Sequence, residues 1–189
     1  MRGLFALIRE DFRANDASWS KPGFQALAVH RFGNAVLGLP RVLRAPLSVL
    51  HDLCHVFVRN VYGIELPRST RVGRRVRISH QSGIVVHPDA VIGDGCTIRQ
   101  NVTIGGVSMR RGGAPTLGAG VEVGAGAAII GRVTIGDGAR IGPNAVVMTS
   151  VPPGALVVVP PPRVVQPPAA PGAPKPPQPA DLQREVGAS

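Results

Sequence analysis

His51 and His55 stand four residues apart, a spacing that puts two side chains on one face of a helix. Two imidazoles so placed can share a metal ion. The pair lacks the intervening Glu that a zinc protease uses as its base, and two surface or capping histidines are the favoured reading. Cys54 and Cys96 are the only cysteines and have no paired spacing, so a disulfide framework is not expected and a reducing cytoplasm is the default. Two more histidines, His80 and His87, lie further along, and imidazole is the side chain suited to taking a proton near neutral pH. Arg110 and Arg111 sit in a glycine-rich stretch at 105–116, a mobile basic excursion of the kind that carries chemistry on a rigid frame.

The frame is legible from Val72 to Val151. Aliphatic residues return every sixth position: Val86, Ile92, Ile98 and Ile104, then after a break Leu117, Val123, Ile129, Ile135, Ile141 and Val147. Leu66, Val72, Ile78 and Ile84 keep the same period upstream, shifted by two residues before Val86. Four positions after each sits a small or β-branched residue, such as Ala90, Cys96, Val102 or Ala127. A period of six fits neither a 3.6-residue helix nor simple alternation. It fits a triangular coil in which each hexad makes a short strand and a corner, about three hexads to a turn. The excursion at 105–116 breaks the phase, which resumes at Leu117.

Residues 1–64 read as helical. Leu4, Leu7, Ile8 and Phe12 fit a short amphipathic helix, and Phe24 to Leu37 has apolar residues at helical spacing. Pro46 is expected in the first turn of a third helix ending near Tyr62, with Leu47, Leu50, Leu53, Cys54, Phe57, Val58 and Val61 on its apolar side. These helices are expected to cap the open end of the coil. Rest on a membrane surface is the alternative, given Arg41, Arg44 and Arg59 nearby, and is not favoured. The Pro-rich stretch at 159–189 is expected to be a disordered tail of polyproline II character. The domain reading is thus a helical segment at 1–64, a coil at 65–158 and a tail. The net charge of +10 suits a polyanionic partner. No nucleic-acid-binding motif is visible, whereas a phosphate-bearing cofactor satisfies the same charge. No signal peptide or membrane-spanning stretch is read.

Several segments resemble the serine O-acetyltransferase family of hexapeptide-repeat acyltransferases. They are Gly23-Phe24-Gln25-Ala26-Leu27 with His30-Arg31, Gly63-Ile64-Glu65, His80 with Gly83-Ile84-Val85-Val86, the run from Ile98 to Gly106, Val123 to Ala127, and Val151-Pro152-Pro153. The resemblance implies a mainly β protein, a left-handed parallel β-helix behind a short helical segment, usually a trimer with active sites between subunits. It implies transfer of acetyl from acetyl-CoA, as co-substrate, to a hydroxyl, with L-serine as acceptor in cysteine biosynthesis and no metal. His80 matches the catalytic base, and Glu65 the carboxylate that orients its ring. Fifteen residues separate the two, and coils lie roughly 5 Å apart, so they are expected to meet within one subunit. Gly105, Gly106, Gly124 and Ala125 match stretches lining the acetyl-CoA groove, with backbone N–H groups near Gly105 and Gly106 facing the oxyanion. Arg132, Arg140 or Arg163 would meet its phosphates, Arg163 being the one retained.

The chain departs from the family pattern at three places. Ser79 stands where an Asp commonly precedes the catalytic His. Ala114 stands where a His before Pro helps hold serine. Val159-Pro160-Pro161-Pro162 replaces the usual Gly-Val-Pro-Ala. The chain ends in Ala188-Ser189 rather than Ile, so docking to the cysteine-forming enzyme is not expected. His87 stands where serine-specific members commonly have Gly, and similar short proteins accompany polysaccharide assembly, so a sugar hydroxyl is the alternative acceptor. A non-enzymatic trimeric scaffold is a further alternative. A metal-dependent hydratase would need three convergent histidines, and the coil has only His80 and His87.

Overall fold

An aliphatic residue every sixth position must point inward three times per turn, and a chain doing so winds into a three-sided prism. The structure, a computed structural model, describes residues 2–107, 113–161, 163 and 165. It divides into a unit at Met1–Val159 and a second at Pro160–Ser189. Among the described residues of the first, helices α1 (Arg2–Ala14), α2 (Pro22–Leu37) and α3 (Arg41–Tyr62) precede fourteen short strands.

The strands form three parallel sheets, one per face. The first face stacks β1 (Ile64–Glu65), β4 (Ile84–Val86), β7 (Thr103–Gly105), β10 (Ala128–Ile130) and β13 (Val146–Val147). The second stacks β2 (Arg71–Val72), β5 (Val91–Ile92), β8 (Thr116–Leu117) and β11 (Thr134–Ile135). The third stacks β3 (Arg77–Ser79), β6 (Thr97–Arg99), β9 (Glu122–Val123), β12 (Arg140–Ile141) and β14 (Leu156–Val157).

Every aliphatic hexad residue from Ile78 to Val147 is buried, as are the small residues Ala90, Cys96, Val102, Val121, Ala127, Val133, Ala139 and Ala145. Val72 is only half-buried. The regular step between coils is eighteen residues, as in Ile129 opposite Val147. Three steps depart from it. Ile64 pairs with Ile84, a step of twenty, Ile104 with Ile129, a step of twenty-five that contains the excursion, and Arg140 with Leu156, a step of sixteen. Ile84 and Val86 are both buried, so the two-residue phase shift lies at the corner between β3 and β4, which carries His80. Arg110 and Arg111 lie outside the described residues, as does most of the Pro-rich stretch.

Buried polar groups tie the helices to the coil. Arg31 Nε donates to Asp11 Oδ2 at 2.8 Å, Arg31 Nη1 donates to the Val72 carbonyl at 2.6 Å, and Nη2 donates to the Gly73 carbonyl. Burial raises the Asp11 pKa, opposed by the Arg31 guanidinium. Asn15, also buried, donates to the Val76 carbonyl at 3.0 Å and accepts from the Ile78 N–H at 3.0 Å.

Three expectations for the helices are corrected. α3 starts at Arg41, so Pro46 lies inside it rather than in its first turn, and withholds the N–H that would bond the Val42 carbonyl. The expected apolar side of α3 is mostly uncovered: Leu50, Leu53, Phe57 and Val61 are exposed, whereas Val58 joins Ala26 and Leu27 of α2 in one buried cluster with Ile64, Leu66, Val76 and Ile78 of the coil. His51 is buried, so it is no surface histidine. It packs on Gly33, where an added Cβ would overlap the ring. Its Nδ1 pairs with Asp52 at 2.9 Å, and its Nε2 is buried without a partner.

Candidate active site

The corner that carries His80 is unlike those below it. His80, Ser82 and Gly83 all have positive φ, at 65°, 87° and 68°. Later coils turn the equivalent corner with one such residue each, Asn101, Gly126 and Asn144. Positive φ is uncommon for a residue with a Cβ, so a corner that carries it at both His80 and Ser82 inside a two-residue insertion is a candidate site. The corner is kept by its neighbours. Asn101 N–H donates to the Ser82 carbonyl at 2.9 Å, and Asn101 fills the space where a Gly83 Cβ would lie.

His80 is exposed and faces a cavity of about 130 Å³ lined by Asn15, Asp16, Lys21, Arg77, Ile78, Ser79 and His80. Its charged groups come from the α1–α2 turn and from β3. Asp16 pairs with Arg77 at 2.9 Å and with Lys21 at 3.7 Å, and Arg77 Nε donates to Ser79 Oγ at 2.9 Å. Ser79, where the family commonly carries a carboxylate, is thus bonded to an arginine that a carboxylate from another element holds. Sequence reasoning missed Asp16, Lys21 and Arg77. Asp16 and Lys21 belong to a turn whose docking against β3 no local pattern announces.

Glu65 faces outward on β1, level with Val85, while His80 follows β3 on the next face. Among the described residues no hydrogen bond or ion pair joins them, and the Glu65 charge is felt by His55 on α3. Burial still sets the His55 pKa below the ordinary value, His51 and Arg59 lower it further, and Glu65 opposes them.

The four groove residues fall into two groups. Ser79 pairs with Arg99 and Ile98 with Val123, so Ser79, Arg99 and Gly124 are level. His80, Gln100 and Ala125 follow them at one corner, two coil steps apart from top to bottom, or about 10 Å. Gly124 lines a 250 Å³ groove on the third face together with Arg99, Glu122 and Arg140. Gly105 instead ends β7, at the far edge of the first face, with Gly106 next. Room exists for a Cβ at Gly105, whose nearest neighbours would be 3.5 and 3.6 Å away, so packing within the chain does not require glycine there. At Gly124 a Cβ would lie 2.6 Å from the Pro143 nitrogen, so stacking of the coils does require it. Arg132 packs against Gly113 at the base of the excursion, and Arg163 is exposed in the second unit. His87 sits at the far edge from His80, its Nδ1 accepting from the Asp89 N–H at 3.1 Å.

Residues 114–148 match the bacterial transferase hexapeptide model of six repeats. The putative colanic acid biosynthesis acetyltransferase WcaB of Escherichia coli is 37% identical over 133 residues, 66% of this chain and 77% of that protein. The soybean serine acetyltransferase complexed with serine superposes with a TM-score of 0.72 at 31% identity, over 87% of this chain and 70% of that one. This chain belongs to the serine acetyltransferase family of hexapeptide-repeat acyltransferases. Its coil is the left-handed parallel β-helix of that family. The serine acetyltransferase of Synechocystis is 41% identical over 115 residues, 59% of this chain but 43% of that protein, so the chain spans less than half the length of this relative.

Proposed function

We propose that this family member is an acetyl-CoA-dependent O-acetyltransferase with L-serine as acceptor, feeding cysteine biosynthesis in the cytoplasm. The observation that carries the reading is the charge around His80. Lys21 and Arg77 offer cations and Asp16 a carboxylate in one small polar cavity beside an exposed imidazole. A zwitterionic amino acid needs such a set: cations for its α-carboxylate and an anion for its ammonium. The serine hydroxyl is too weak an acid to lose its proton unaided near neutrality, so His80 takes that proton as the oxygen attacks the thioester carbonyl. The carbon–sulfur bond then breaks, and the proton passes to the departing CoA thiolate. Glu65 is the proposed carboxylate partner of the imidazolium, a role resting on the family resemblance.

Arg99 and Arg140 beside Gly124 supply positive charge for the CoA phosphates, and Arg163 remains a proposed further contact. His80 and Gly124–Ala125 lie on one edge of the prism and Gly105–Gly106 on another. A homotrimer, in which one edge of each chain meets another edge of its neighbour, would complete three shared sites.

Acetylation of a sugar unit is the second reading, favoured by the likeness to WcaB and by Ala114, which offers an acceptor no polar side chain. The test is thiol release from acetyl-CoA by the purified full chain, with serine and with sugar acceptors. Serine-dependent release that falls by about 10²–10⁴ in His80→Ala, with an unchanged melting temperature, is expected. Release with sugars alone would transfer the reading to the second acceptor. Retention of full activity by His80→Ala would overturn the mechanism.

A further inference from the structure

Two histidines flank one strand of the first face. His80 lies in the corner that precedes β4, and His87 follows its last residue, Val86. The extended run from Gly83 to His87 spans about 13 Å, so within one chain the imidazoles stand at opposite edges of that face, at one level of the coil. The His87 ring has a defined tautomer. Its Nδ1 accepts from the Asp89 N–H at 3.1 Å, which assigns the proton of the neutral ring to Nε2. That nitrogen is not buried, and among the described residues nothing accepts from it. His87 therefore presents an N–H donor on the edge that carries Gly105 and Gly106. It stands one coil step, about 5 Å, from Gly105, because Val86 pairs with Ile104.

The first face indicates what meets that edge. Its outward column runs through Glu65, Val85, Thr103, Ala128 and Val146, with no charge below Glu65. The matching column of the third face holds Arg77, Glu122 and Arg140. From Ile64 to Val151 the exposed large apolar side chains, among the described residues, are Val85, Val107, Val146 and Met148. All four lie on the first face or at its His87 edge. Further copies of this chain suit that face, because the candidate site residues are already divided between its two edges. Three copies turned about an axis parallel to the prism would point their first faces inward. Each His80 edge then abuts the His87 edge of the next copy, and rotation about such an axis leaves heights unchanged.

We propose that His87 of one copy is a catalytic residue of its neighbour's site, its Nε2–H donating to the thioester carbonyl oxygen. This rests on the acetyl-transfer reading and the homotrimer above. As the serine oxygen bonds to the carbonyl carbon, the C=O π pair moves onto the carbonyl oxygen and the hydroxyl proton passes to His80. The oxyanion accepts from His87 until the C=O bond re-forms, the C–S bond breaks, and the thiolate takes the proton from His80.

Placement and chemistry are tested separately on the full chain. In a Cys54→Ser background, His80→Cys/His87→Cys treated with a short bismaleimide should give covalent dimers and trimers on denaturing gels, and neither single variant should. This readout needs no acetyl transfer. His87→Ala should lower kcat for thiol release by about 10²–10³-fold with the KM for serine unchanged. His87→Gln, which keeps a donor, should recover at least about tenfold of that loss. If His87→Ala fails to fold, His87→Leu fills the space without a donor and carries the same expectation. His80→Ala and His87→Ala chains co-expressed in equal amounts should regain about a quarter of the parent's activity, because one site in each mixed trimer keeps both histidines. Absence of cross-linking in the double variant would overturn the placement, and full activity of His87→Ala the donor role. A parent that releases no thiol with any acceptor while the double variant cross-links would overturn acetyl transfer and the donor role together, leaving the placement supported.

Discussion

The coil and the helices in front of it are held by different forces. In the coil one aliphatic side chain per hexad stacks on the next, and no single contact dominates. At the junction Ala26, Leu27 and Val58 pack into the core of the first coil, and a few buried polar groups are added: the Asp11–Arg31 pair, the Asn15 bridge, and His30, whose ring bonds the Pro67 carbonyl at 3.1 Å. Packing of that repeated kind degrades gradually when one residue changes. A buried ionic junction fails abruptly, because removing one partner strands the other without water. The difference matters for the site. The His80 cavity is walled on one side by the coil and on the other by the α1–α2 turn that this junction holds in place.

The sharpest way to break that contrast is Arg31→Ala. It leaves Asp11 charged and buried and frees the Val72 and Gly73 carbonyls, so a loss of about 3–5 kcal/mol is expected in urea unfolding. A smaller loss would place the junction's strength elsewhere.

Acid should act on the same junction. Burial, helped by the neighbouring Arg31 charge, pushes His30 down from 6.5 to about 4. The folded state therefore favours the neutral ring, and the associated stability is present above pH 6.5. It is lost as pH falls from there through 4, for a total of about 3 kcal/mol. Urea midpoints measured from pH 7.5 to 4 should fall accordingly, and His30→Gln should flatten that slope.

The coil offers the smaller effects. Gly124→Ala drives a Cβ against the backbone of the next coil and should cost about 1–3 kcal/mol, read as a lowered melting temperature. Gly105→Ala meets only ordinary contacts and should change stability by less than about 0.5 kcal/mol. If Gly105→Ala nonetheless raises the KM for acetyl-CoA, close approach of the ligand is the reason for glycine there.

Period six made the prism legible, because an inward residue in a stacked coil touches its own kind above and below. The two-residue slip before Val86 was legible too, and it falls at the His80 corner. The apolar side of α3 was legible, but amphipathicity does not say whether such a side is covered. Glu65 and His80 stand fifteen residues apart on a coil where one turn closes near twenty, yet they lie on different faces without a bond between them.

The residue order alone determined the coil and its breaks, because both rest on local spacing that repeats, while His80 was marked by the family resemblance of its segment. Only the tertiary structure decided that Asp16 and Lys21, some sixty residues upstream, supply charge beside His80, and that one side of α3 is left bare. Both depend on how the helices dock against the first coil. That docking joins Ala26, Leu27 and Val58 to the core of the first coil and adds a handful of long-range polar bonds, none of which carries a period.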